Sequence, residues 1–224
     1  MPFFVISPGL ERNFIEPMSS VLNYRECIIS RDVSRHTVRK EHLSHKWELL
    51  CECNEVNRVI ESITEGKSVS VSRGQIFQTL EAYDKVIKAL WWGYPNGMRV
   101  NLYFNNIVAA ADEVSACLNQ YKGKDILEAD YLQLYREVKG IVGRGMGMST
   151  ISKLFYFFNI SVEGCMSVIV DNRVKARIQH FDDFNPIHTA DEAMWYLTAV
   201  REINRVAGDW AEPDQIEYFL FGFQ

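Results

Sequence analysis

No apolar run in the 224-residue chain approaches the roughly 20 residues that span a bilayer; Leu154 to Val162, uncharged throughout, stops at nine. No membrane segment is expected. The opening MPFFVISPGLER lacks the basic start and small-residue cleavage site of a signal peptide. Cysteine is sparse, and Cys27, Cys51, Cys53, Cys117 and Cys165 are odd in number and scattered. That argues against a disulfide framework and for reduced thiols in a cytoplasmic setting. Cys51 and Cys53, with His42 and His45 nearby, match no common zinc spacing, so no metal site is expected. Internal repeats and low-complexity tracts are also missing, which excludes solenoids and disordered tails.

What remains is ordinary globular material, 47% hydrophobic and 24% charged. A chain of this length can bury roughly 70–75% of the surface its unfolded form exposes. The net charge of −5 is unevenly spread. Residues 131–180 carry seven basic and three acidic side chains, whereas residues 181–224 carry two basic and nine acidic. A polyanion would therefore meet one segment rather than the whole surface. The same pattern also fits a normally solvated helical surface.

Residues 1–35 are broken by Pro2, Pro8, Gly9 and Pro17 and read as irregular. Val38, Leu43, Trp47, Leu50, Val56, Val59, Ile60 and Ile63 recur at helical spacing over 36–65. Ser68 to Ser72 alternates weakly and leads into a helix over 74–92, with Ser72 as N-cap. Gly93-Tyr-Pro-Asn-Gly97 is a turn, followed by helices over 99–120 and 127–141. Two closing helices are expected over 189–207, capped by Thr189, and over 213–222.

The informative stretch begins at Gly143-Arg-Gly-Met-Gly147, too glycine-rich for a helix interior. Ser149 or Thr150 can cap the helix that follows, Ile151 to Asn159. That helix is apolar nearly all round, and Lys153 is its one charge. Such a lysine is either a snorkelling surface side chain or an amine held for chemistry. Eighteen residues later Asp171 stands before a second helix-like run, as an N-cap candidate. A helix, glycine turn and helix can hold a phosphate on backbone N–H groups and the helix dipole, or can be a plain structural hairpin.

Taken together, "ISKLFYFF … VIVDNRV", "LWWGYPNGMR" (Leu90 to Arg99) and "PDQIEYFLFGF" (Pro213 to Phe223) resemble the helix-hairpin-helix DNA glycosylases. The likeness is greatest to the archaeal 8-oxoguanine glycosylases and to bacterial proteins with the 8-oxoguanine glycosylase fold. It covers roughly residues 70–224. Two departures stand out. Lys153 lies six residues after Gly147, against two after the last turn glycine in endonuclease III-like hairpins, and the iron–sulfur cysteines of endonuclease III are missing.

The resemblance implies an all-α fold of two helical lobes flanking a cleft. A helix-hairpin-helix domain would span 71–224, with the hairpin at about 127–159 and residues 1–70 packed on it. It implies a DNA glycosylase with lyase activity toward a modified purine such as 8-oxoguanine, with Lys153 as nucleophile and Asp171 as its carboxylate. DNA-binding candidates are Gly143, Arg144, Gly145, Gly147, Ser149 and Arg173, with Arg99 as a further phosphate contact. Trp91, Trp92, Phe157 and Phe221 are candidates for the base pocket, although tryptophans ending an apolar helix also serve as core. No cofactor is expected; the partner is DNA carrying a flipped base. Two alternatives stay open. One is an accessory protein of an anti-phage operon of the type IV CBASS kind, working with other operon proteins on a modified nucleobase, phage DNA or a nucleobase–protein conjugate. The other is a non-catalytic binding module that keeps the fold.

Overall fold

The computed structural model describes residues 20–98 and 100–223. After a 3-10 turn at Val21–Tyr24 come α1 (Arg25–Ile29), a second 3-10 turn (Val33–Arg35), β1 (Thr37–Lys40), α2 (His45–Leu50), α3 (Asn54–Glu61), β2 (Thr64–Glu65) and β3 (Ser68–Ser72). The middle of the chain forms α4 (Arg73–Gln78), α5 (Ala82–Gly93), α6 (Asn101–Ala109), α7 (Ala111–Asn119), β4 (Asp125–Ile126), α8 (Glu128–Val142) and α9 (Met148–Phe157). The last third holds β5 (Ser161–Val162), β6 (Cys165–Met166), α10 (Asn172–Ile178), α11 (Glu192–Ala207) and α12 (Pro213–Gly222). Helix dominates, and two three-stranded sheets of order β1-β3-β2 and β4-β5-β6 complete it. No helix among the described residues is long and apolar enough to cross a membrane.

Several expected helices are shorter than their apolar spacing suggests. The pattern over 36–65 resolves into β1, α2 and α3, because Thr37–Lys40 pairs antiparallel with β3 from Thr37↔Ser72 to Lys40↔Val69. Residue 70 lies inside β3, so the N-terminal segment and the rest of the chain share a sheet. The helix expected over 74–92 breaks where Thr79 turns extended and Leu80 points to solvent, 81% exposed. Ser72 caps α4 as anticipated, in a full capping box with Gln75. At α11 the cap is Asp191, whose carboxylate accepts from the Met194 amide; Thr189 lies two residues too early and instead accepts from the Asp191 amide. Residues 1–19 and Arg99 fall outside the described residues.

One contiguous core runs through the molecule, from Val21 and Ile28 to Ile216 and Leu220. At its centre is α9, which packs on α4 and α5 on one side and on α8 and α11 on the other. This explains why it is apolar all round. Its start is fixed by an unexpected partner. The Met148 amide donates to Glu192 Oε1 at 2.5 Å, and the same carboxylate accepts from Tyr135 and Lys139. Glu192 therefore does the capping proposed for Ser149 or Thr150, whose hydroxyls lie inside the first turn and face elsewhere. The end of α9 is also held. Lys85, 2% exposed, donates to Phe157 O and Phe77 O, where α9 and α4 present the negative ends of their dipoles. Burial first, and then the charge of Lys122, pulls the Lys85 amine down to about 8.

The closing helix α12 is tied to α4 by a buried ion pair. Arg73 Nη1 and Nη2 donate to Glu217 Oε2 at 2.7 Å and Oε1 at 3.2 Å, with both side chains 1% exposed. The guanidinium is also flanked by the rings of Trp92, Tyr156 and Tyr218, 5.0–5.4 Å from their centroids. Removing one charge of such a pair strands the other. Glu217→Ala is therefore expected to cost about 3–5 kcal/mol in urea unfolding. Replacing both partners by apolar residues (Arg73→Met with Glu217→Leu) should cost clearly less.

Candidate active site

A cavity of about 160 Å³ opens where α5, α9, α12, β1 and the approach to α10 converge. Lys153 and Asp171 both line it, together with Ser149, Trp92 and Phe221. Their register is set by a neighbouring contact. The Val170 amide donates to Ser152 Oγ at 3.0 Å, and the same hydroxyl donates back to Val170 O at 3.4 Å. Both residues are fully buried. Each lies one position before a candidate residue, so this reciprocal bond ties the stretch of α9 that carries Lys153 to the extended segment that ends at Asp171, bringing both residues to one cavity without a salt bridge between them.

Lys153 is 6% exposed and curls back along α9, with Nζ 2.8 Å from Ser149 O and 2.9 Å from Ser149 Oγ. Its stem crosses the end of α5. A Cβ added at Gly93 would come within 2.8 Å of Lys153 Cδ and Cε, so a side chain there would displace the amine's stem. Nζ also lies 5.1 Å from the centroid of Tyr94. The Tyr94 hydroxyl in turn bonds Thr150 Oγ1 at 2.9 Å, and its carbonyl accepts from the Trp47 indole. The immediate setting of the amine is thus Gly93, Tyr94 and Ser149.

Asp171 is the N-cap of α10, as its place in the sequence suggested. Oδ1 accepts from both the Arg173 amide at 2.8 Å and the Val174 amide at 3.0 Å. Oδ2 has no hydrogen-bond partner among the described residues. One carboxylate thus serves the helix with one oxygen and leaves the other to the cavity.

The other sequence candidates divide. Trp92 and Phe221 line the cavity. Trp91 does not: one residue along α5 turns its ring into the core, where it is fully buried. Phe157 is likewise a core residue, packed edge-on beneath Trp92 at 5.6 Å, and serves as its support. Gly143, Arg144, Gly145 and Gly147 form the hairpin turn away from the cavity. Gly143 and Gly145 have φ of +71° and +106°, and a Cβ at Gly145 would clash with Tyr103. These two glycines are thus needed by the backbone itself. Arg173 is exposed just outside, its guanidinium 5.0 Å from the Phe221 ring centroid.

Among the lining residues that were not anticipated are His36, Arg73 and Glu217. Glu217 carried the same signal that singled out Lys153, a lone charge within an apolar helical run, Ile216 to Phe221. Burial of Arg73 works against its charge, but the facing Glu217 carboxylate more than compensates and holds the guanidinium protonated. His36 sits between Trp92 and Tyr218, with ring centroids 4.9 and 4.7 Å away. Its carbonyl accepts from the Trp92 indole and the Arg73 amide. Burial and, second, the charge of Arg73 pull the imidazole down to about 4. The cavity thus presents a neutral imidazole, an amine and a carboxylate oxygen between aromatic walls.

The His36 shift makes stability depend on pH. A histidine depressed in the folded state but ordinary in the unfolded one gives full stability above about 6.5. That contribution drains away as pH falls toward 4, because only the unfolded chain takes up the proton. In an NMR titration the His36 ring should stay neutral from pH 8 to 5, and His36→Phe should flatten the stability profile between pH 6.5 and 4. An imidazole that titrates near 6.5 contradicts this.

A family described as "Putative 8-oxoguanine DNA glycosylase OGG-like protein" matches residues 31–221. No curated protein and no solved structure matches the chain. The match takes in β1, every lining residue of the cavity and both ends of the Arg73–Glu217 pair. The chain belongs to this OGG-like family.

Proposed function

We propose that the chain is a DNA glycosylase with lyase activity that excises a modified purine such as 8-oxoguanine from DNA. The observation that carries this reading is the Ser152–Val170 contact, which locks an amine and a half-free carboxylate onto one small cavity. A neutral lysine amine has two N–H bonds, and Ser149 O and Oγ supply an acceptor for each. The lone pair is then left unengaged. Asp171 Oδ2 is the base that receives the proton Nζ must shed.

The reaction follows from these groups. Nζ attacks C1′ of the flipped nucleotide while the bond from C1′ to the base breaks, and the base departs with that electron pair and takes up the proton that Asp171 received from Nζ, which restores the charge of the carboxylate. The negative Asp171 offsets the positive charge that develops on the sugar. Opening of the sugar ring converts the adduct into a Schiff base. Loss of a C2′ proton then expels the 3′ phosphate, and water releases Lys153. Trp92 and Phe221 supply flat apolar walls for the extruded base. The side chains of Arg144, on the hairpin turn, and of Arg173 beside Asp171 are the contacts we assign to the DNA backbone. A rival reading, action on a modified nucleobase or its protein conjugate within a defence operon, draws support from the overall charge of −5.

A duplex with a single 8-oxoguanine separates them. The protein should release the base and nick that strand while leaving an undamaged duplex intact. Lys153→Gln should abolish nicking. Asp171→Asn, which preserves the cap, should slow it by roughly 10²-fold or more with an unchanged melting temperature. Nicking by Lys153→Gln at the wild-type rate, or no binding of any duplex by the native protein, rules the proposal out.

A further inference from the structure

Beside the cavity a wider groove of about 450 Å³ runs between α10 and α12, and Phe221 forms a wall of both. Arg173 and Arg177 line it, four residues apart and therefore on one face of α10. Each guanidinium lies over a ring from the end of the chain: Arg173 over Phe221 at 5.0 Å and Arg177 over Phe223 at 5.6 Å. At the far edge Arg31 lies over Tyr218 at 5.4 Å, with Nη1 3.6 Å from where a Cβ on the groove residue Gly222 would stand. None of the three has a carboxylate within salt-bridge distance among the described residues, whereas Arg58, Arg73, Arg136, Arg201 and Arg205 all do. A guanidinium stacked on a ring is oriented by it and keeps edge donors for a phosphate; among the described residues only Arg31 of the three donates to a side chain, weakly, from Nη2 to Cys27 Sγ at 3.5 Å.

The hairpin presents the opposite situation. The positive end of α9 already faces the Glu192 carboxylate, bound to the Met148 amide. A phosphate at that helix end would meet a negative charge in place. The groove, in contrast, begins at Asn172 and Arg173, the residues next to Asp171, so a strand with its reacting sugar at Asp171 runs directly into it.

We infer that this arginine groove is the principal phosphate-binding track of the protein, holding the backbone of the strand that carries the target nucleotide. The inference rests on the glycosylase reading for its ligand. It adds Arg31 and Arg177, on elements remote from the hairpin, to the DNA contacts.

The test is a fluorescence anisotropy titration of the full chain with a duplex carrying a tetrahydrofuran abasic analogue, repeated over a salt series. Arg31→Gln and Arg177→Gln should each weaken binding about tenfold at low salt, as loss of a charged hydrogen bond does. Each should lower the slope of log affinity against log salt by about 0.9. Melting temperatures should match the native protein. Unchanged affinity and slope in both variants, with the native protein still binding, overturn the groove and leave the glycosylase reading standing. Weaker binding with an unchanged slope also overturns it, because a lost phosphate contact must release fewer counterions. A native protein that binds no duplex at low salt overturns both.

Discussion

The buried pair of Arg73 and Glu217 is the constraint around which the active region is arranged. Two charges taken out of water carry a desolvation cost of several kcal/mol each, recovered only with good geometry and added partners. Here the geometry is bidentate, and three aromatic rings enclose the cation. Those rings are shared with the site. Trp92 is at once a wall of the cavity, a neighbour of His36 and a face of the Arg73 cage. Tyr156 belongs to α9 and reaches across to Asp214 at the start of α12. The pair thus fixes α4, α9 and α12 relative to one another, and its positive charge adds to the burial that keeps His36 neutral.

Around that fixed point, single groups serve the fold and the proposed chemistry together. Asp171 caps α10 with one oxygen and offers the other to the cavity. Ser149 is part of the first turn of α9 and holds the amine of Lys153. Glu192 begins α9 and joins it to Tyr135 and Lys139 of α8. The last arrangement changes the role of the hairpin. Gly143 and Gly145 are needed for backbone conformation, and Gly145 also for the approach of Tyr103, while the helix dipole is already occupied.

Much of this was legible in the sequence where a residue broke a local pattern. Lys153 stands out as one charge on an apolar helix, Asp171 as a polar residue between a β-branched run and a helix, and Ser72 as a cap followed by Gln75. Features fixed by distant partners were not legible. Thr37–Lys40 is a strand only because β3 pairs with it, so helical spacing misled there. The breaks at Thr79–Glu81 and at Ala110 carry no glycine or proline to announce them. Arg73 and Glu217 are 144 residues apart, and no spacing rule connects them. The choice between Trp91 and Trp92 turned on one residue of helix rotation, which the apolar run around them could not resolve.

The central claim is that the Lys153 amine becomes covalently joined to the sugar from which the base departs. Incubating the native chain with an 8-oxoguanine duplex in borohydride, followed by digestion and mass spectrometry, tests this directly. The reduced adduct should map to the peptide containing Lys153 and to no other. Base release without any trapped adduct, or an adduct on a different amine such as Lys85 or Lys175, would contradict the claim.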